Sequence, residues 1–137
     1  MKIRIVSLQF DANIALNKPV DLAKGTNSFT LAVFKTSGLI QTQIGLSDFK
    51  AGDCILLDPT FPHYIKCKHE NIIYDSVSFK GSDASRLVGQ IGLDLNVIHS
   101  PLQIFFIDSI LEKISKECRA TELLWERVVA TCMDELL

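Results

Sequence analysis

No run of apolar residues in this sequence approaches the ~20 that a membrane-spanning helix needs. Basic residues are equally thin. Lys and Arg number 14 against 16 Asp and Glu, a formal net charge of −2, and no basic cluster is longer than a residue or two. A chain that neutralises several phosphates shows a basic face, so these residues alone make a poor nucleic-acid binder. Cysteine appears only at Cys54, Cys67, Cys118 and Cys132, never as C-x-x-C. On apolar strand or helix patterns, these four read as small buried hydrophobes of a reducing cytosol, in preference to disulfide or metal groups. The three histidines, His63, His69 and His99, form neither H-x-H nor H-E-x-x-H. The opening Met1-Lys2-Ile3-Arg4-Ile5-Val6 meets Ser7, Gln9 and Asp11 too soon to be a signal peptide, and a cytoplasmic protein is expected.

What is present describes a folded domain. With 47% hydrophobic and 22% charged residues, the chain is not disordered, and its 137 residues suit one domain with a single core. The most informative stretch runs from Phe49 to Cys67. Ala51-Gly52-Asp53 reads as a tight turn in which Gly52 supplies φ > 0, and Cys54 to Leu57 as a buried strand. Pro59 and Pro62 then fix φ and forbid helix through a corner, after which His63-Tyr64-Ile65 opens the next strand. Elsewhere Phe29–Phe34, Leu39–Ile44 and Ile72–Phe79 read as strands, while residues 1–25 look like an arm or edge strand. Short strands at this spacing indicate a β sandwich or barrel.

The period changes after Phe79. Ser82-Asp83 can cap a short helix that ends at Gly92, and Leu93, Leu95 and Val97 alternate as one last strand would. Ser100-Pro101-Leu102-Gln103 is a helix start with capping residues. The apolar +3/+4 stripe beyond it, a break near Arg119, and a second stripe through Trp125 and Val129 predict an antiparallel helix pair over 100–137. The expected organisation is an arm and barrel over 1–99 followed by that pair. The chain ends on Asp134-Glu135-Leu136-Leu137 without a cap, as if more were to follow.

Ala51-Gly52-Asp53, the apolar strand, the Pro59 to His63 corner and Ser76-Val77-Ser78-Phe79, followed by two helices, together resemble the N-terminal cupin domain of AraC/XylS-type transcription regulators. The resemblance covers essentially the whole chain, and the glycine-aspartate turn with P-x-x-P-H is its distinctive part. It implies a mainly β fold, a cupin-like jelly-roll barrel followed by an antiparallel helix pair. It also implies a small effector (a sugar or other metabolite) inside the barrel, and a homodimer formed through the helices. DNA would be met only through a separate domain with two helix-turn-helix units, C-terminal to these residues. Metal-binding cupins carry further His and Glu ligands on an early strand pair. Only His63 matches, and Ser28 to Gly45 holds neither His nor Glu, so no metal, cofactor or catalytic residue is expected.

Candidate effector contacts are His63, Lys35, Tyr74, Ser76, Ser78 and Ile65. His63 is either a pocket group or a structural histidine bonding the corner's backbone. Lys35 corresponds to a basic ligand contact of a sugar-binding family member, or is an exposed turn lysine. Tyr74, Ser76 and Ser78 share one strand face by period two and either line the pocket or see solvent. Candidate dimer contacts are Phe106, Ile110, Leu111, Ile114, Trp125 and Val129, with intramolecular burial of the same stripe as the alternative. A stand-alone metal-free cupin enzyme, such as a sugar isomerase or epimerase, and a pure assembly module are the competing functions. The reading frame past the Leu137 codon checks the regulator expectation. It should continue for roughly a hundred residues with two helix-turn-helix patterns, whereas a stop codon there would remove it.

Overall fold

A computed structural model describes residues 4–15 and 27–100. Within them lie seven strands: β1 (Arg4–Ile14), β2 (Phe29–Phe34), β3 (Gly38–Thr42), β4 (Gly45–Phe49), β5 (Cys54–Leu57), β6 (Tyr64–Lys66) and β7 (Ile72–Lys80). One helix, α1 (Ala84–Ile91), follows them. The expected helix pair over 100–137, with Phe106, Ile110, Leu111, Ile114, Trp125 and Val129, lies outside the described residues.

The strands form two antiparallel sheets, a four-stranded one in the order β1-β7-β2-β5 and a three-stranded one in the order β4-β3-β6. Alternation assigns their faces. Ala32, Phe34, Ile55, Leu57, Ile72 and Tyr74 of the larger sheet pack with Ile40, Phe49 and Ile65 of the smaller, which makes the core between the sheets. The odd-numbered neighbours Leu31, Val33, Val77 and Phe79, with Cys54 and Leu56, point the other way and are covered by Ala84, Leu87 and Leu93. β2, β7 and the edge strand β5 are thus buried on both faces, which explains the unbroken apolar run of Cys54 to Leu57.

Turn chemistry fixes the connections. Gly52 has φ 91°, as the turn required, and its N–H donates to Phe34 O at 2.8 Å. Asp53 accepts the Lys50 N–H at 3.0 Å through its side chain, while its carbonyl accepts from Phe34 N at 2.9 Å. Gly92 ends α1 in the left-handed conformation (φ 76°) and bonds Val88 O, but Asp83 at the helix start makes no side-chain cap.

The expectation for residues 93–99 needs correction. Of the arm or edge strand expected at the N-terminus, Arg4–Ile14 forms an eleven-residue edge strand. Register shifts between Ile5 and Ser7 and between Gln9 and Ala12 break its alternation. Residues 93–99 form no strand. Asn96 adopts φ 63°, and the segment meets the free edge of β5 only at points, with Asn96 N bonding Leu56 O at 2.9 Å and His99 bridging Cys54.

One close approach requires glycine for space alone. A Cβ on Gly38 would stand 2.6 Å from Phe49 Cζ and 2.7 Å from Ile72 Cδ1. The Phe49 ring is held by stacking on Phe34 at a 3.7 Å centroid distance. Gly38→Ala is expected to lower stability by about 1–3 kcal/mol, the usual cost of overpacking. Ile72→Val, which removes one clashing atom, should recover part of the loss in urea unfolding. An unchanged midpoint for the single variant would show that the ring gives way freely.

Candidate functional site

The interior polar groups of the sandwich run from Tyr74, opposite Phe34 at one end, through Ser76, opposite Ala32, to Ser78, opposite Thr30, and gather towards the Ser28 end. On β7, Tyr74, Ser76 and Ser78 alternate with residues of the helix-covered face, and they are only 6, 4 and 2% exposed. They therefore face the space between the sheets and not solvent. Thr30 lies opposite Ser78 across the ladder, and their hydroxyls bond at 2.8 Å. Ser28, two residues earlier on the same side of the β2 line, is 1% exposed, and its Oγ has no hydrogen-bond partner. From the edge, Gln9 Oε1 accepts the Tyr74 hydroxyl at 3.1 Å. Burial raises the Tyr74 phenol above its usual 10.0, so at neutral pH it stays a donor.

The Pro corner brings His63 to this end. Leu57 pairs with Thr30, so Asp58 and the corner after it lie beside Ser28. Asp58 Oδ1 accepts the Thr60 N–H at 2.9 Å, an Asx turn, and Pro59 and Pro62 hold φ on either side of the bend. His63 is fully buried, with Nε2 2.7 Å from the Asp58 carbonyl oxygen. A carbonyl only accepts, so Nε2 carries the proton, and in the neutral ring Nδ1 is left as an acceptor. Nδ1 is buried without a partner. The structural reading of His63 thus describes one nitrogen, which ties the corner's backbone, while the other is buried and unsatisfied. Ile65, two residues on, is fully buried in the core between the sheets.

Lys35 does not join this group. It follows β2 at the far end from Ser28, and its ammonium pairs with Asp11 and lies 3.6 Å from Asp75 Oδ1. Asp75 sits opposite Val33 on the helix-covered side of the sheet, the opposite parity to Ser76. The sequence places Lys35 near a ligand only by correspondence, and the odd–even count along β2 and β7 sends it to the other face. Asp75 is 2% exposed and also accepts the Asp11 N–H at 2.9 Å. Asp11 itself takes φ 53° within the β1 irregularity. The buried carboxylate thereby ties the edge strand and the end of β2 together.

Ser28 and Thr30 are the site residues that sequence reasoning missed. Polar residues at a strand's start read as a boundary, although Thr30 shares its parity with Ala32 and Phe34. No three His, Cys, Asp or Glu side chains gather as a metal site among the described residues. A separate open cleft of about 470 Å³ lies at the other end of the sandwich. Its Ser37, Asp48, Lys50, Lys68 and His69 carry both signs of charge, and Lys68 is paired with Asp48 at 3.0 Å.

The class that fold and site define is a mainly β, two-sheet domain with an enclosed and partly unsatisfied polar end. No family model and no curated protein matches the chain. Among solved structures, ToxT from Vibrio cholerae bound to an unsaturated fatty acid is 13% identical, covering 69% of this chain and 33% of its own, at TM-score 0.34. An apo single-residue variant of ToxT is also 13% identical, over 84% of this chain and 55% of its own, at TM-score 0.38. The chain therefore spans between a third and about half of the structures it resembles, and at these values the likeness is coarse.

Replacing Asp75 by Asn should cost about 1–3 kcal/mol, because a buried charge-assisted acceptor is lost while Lys35 and the Asp11 N–H remain. Lys35→Met should cost at least as much, since it leaves the buried carboxylate without its cation. Urea midpoints for the two variants test the order, and a clearly smaller loss for Lys35→Met would show that the Asp11 N–H bond outweighs the ion pair.

Proposed function

We propose that this chain is the effector-sensing and dimerisation part of an AraC-type transcription regulator, with a cupin-like jelly-roll barrel that takes a small molecule between its sheets. One observation carries the reading. The sandwich buries a cluster of hydroxyls and an imidazole at one end, and two of these groups lack partners. A buried polar group without a hydrogen bond costs about 1–3 kcal/mol, so a purely structural core would favour apolar residues there. A ligand that supplies the missing bonds gives such a cluster a purpose. The sequence pattern around Ala51-Gly52-Asp53 and the Pro59 to His63 corner supports the family assignment independently.

In this proposal the chain is no enzyme, needs no cofactor and works in the cytoplasm. It meets DNA only through a further domain. Effector contacts are His63, Tyr74, Ser76, Ser78 and Ile65, joined by Ser28 and Thr30. The ligand shifts the population between two arrangements of barrel and helices, and the helices carry the homodimer through Phe106, Ile110, Leu111, Ile114, Trp125 and Val129.

A thermal-shift screen of small metabolites tests the central claim. A true effector at a hundred times its Kd adds about 2.7 kcal/mol of stability, it is recovered unchanged, and the shift is lost in His63→Gln. Turnover of a bound compound would favour the enzyme instead. For the dimer, Leu111→Asp together with Ile114→Asp should give monomers by analytical ultracentrifugation with the barrel still folded. A dimer that survives both changes would place the interface elsewhere. The chain alone should not retard duplex DNA at physiological salt.

A further inference from the structure

Resting on the effector-binding reading, we infer that the ligand is uncharged and bears a hydroxyl, that this hydroxyl donates to Nδ1 of His63, and that Ser28 Oγ is its second anchor. His63 is 0% and Ser28 1% exposed, and each presents one polar atom without a partner. The ladder places both at the same end of the sandwich. Thr30 pairs with Leu57, Ser28 precedes Thr30 by two residues (~7 Å along a strand), and Asp58, which holds the His63 ring, follows Leu57.

What these atoms require sets the ligand's chemistry. With Nε2–H committed to the Asp58 carbonyl, Nδ1 of the neutral ring can only accept, so it calls for a donor. Ser28 can give or take a hydrogen, and the Thr30–Ser78 hydroxyl pair lies between it and Ser76 on the same face. A ligand hydroxyl serves both anchors. A carboxylate offers acceptors alone and would have to be buried against a cation. Asp58, whose carboxylate accepts the Thr60 N–H, is an anion at this end, and the cations give a buried carboxylate little help. Lys35, Asp11 and Asp75 are paired at the far end of β2, towards the helix-covered face. Asp53 lies beyond Phe34 at the far end. Arg4 and Lys80 face each other at the Ser28 end of the ladder, one residue past the Phe29–Phe79 pair, but Arg4 is exposed and Lys80 half-buried, so their charge stays in reach of water. An anion inside would therefore bear its desolvation uncompensated. The adjoining apolar side chains Leu57 and Ile65 suit the C–H faces of a compact polyol.

The test uses the full chain labelled with ¹⁵N-histidine, and follows the His63 ring nitrogens by NMR alongside the melting temperature. The neutral probes are xylitol and D-xylose; the acidic probes are xylonate and oleate. The free protein should show a bare Nδ1, and a neutral probe should move that resonance and raise Tm by about 5 °C or more at saturation. Ser28→Ala should leave the ligand-free Tm unchanged or higher, since an unpaired hydroxyl is removed. It should also weaken the neutral probe about tenfold. His63→Gln should abolish the shift. If an acidic probe alone binds, the ligand class is overturned and effector binding stands. If no probe moves either readout and a crystal structure shows only a water joining Ser28 to His63, both fall. A ligand-free Tm that drops several degrees in Ser28→Ala would mark the hydroxyl as a structural group and overturn its role as anchor.

Discussion

Between α1 on one side and the three-stranded sheet on the other, the central strands of the larger sheet meet solvent on neither face. A polar side chain placed there must find a partner inside the protein or await one from outside. Most of the protein obeys the first option. Thr30 bonds Ser78, Tyr74 bonds Gln9, and Asp75 is met by Asp11 and Lys35. The same rule operates at the segment along β5, where Asn96 Oδ1 accepts the Asp58 N–H at 3.1 Å and His99 Nε2 meets the Asp94 carbonyl at 2.9 Å. Against this background of satisfied groups, Ser28 and His63 stand out at one end of the sandwich.

His63 and His99 make an instructive pair. Both are buried, and both place Nε2 on the carbonyl oxygen of an aspartate five residues earlier. In each case the ring closes a loop that departs from or docks on β5. Only His63 presents its remaining nitrogen without a partner in the interior. The same structural device therefore occurs twice along β5, and at His63 it leaves a buried Nδ1 without a partner.

Much of this was legible in the sequence where one residue's chemistry decides the outcome. Gly52, Gly92, Pro59 and Pro62 mark their turns and caps wherever they occur, and period two separates Tyr74, Ser76 and Ser78 from Val77 and Phe79. The interior polar face was therefore visible as a face, though not as an inside one, because burial depends on a sheet that packs against it from elsewhere in the chain. The length of β1 was hidden by its two irregularities, which change the parity of apolar positions along one strand. Leu93, Leu95 and Val97 alternate as a strand does, yet Asn96 in the left-handed region prevents continuous pairing. Ser28 was obscured by its place at a strand's threshold, and Lys35, read as a ligand contact by family correspondence or as an exposed turn lysine, is set apart from the polar interior by its parity along β2.

The docking of residues 93–99 on β5 also bears on how the protein behaves when crowded. A bare strand edge is a template on which another chain can extend the sheet. At the β5 edge, Asn96 and the His99–Cys54 bridge already occupy backbone groups that an intruder would need. At the opposite edge, the irregular register of β1 and the left-handed Asp11 deny a visitor a flat, evenly spaced row. Among the described residues the smaller sheet has no comparable guard on β4, where Leu46 is 60% exposed beside Ile44 at 66%. Self-association of partly unfolded or concentrated protein should therefore begin at that hairpin, with the larger sheet shielded by its own chain.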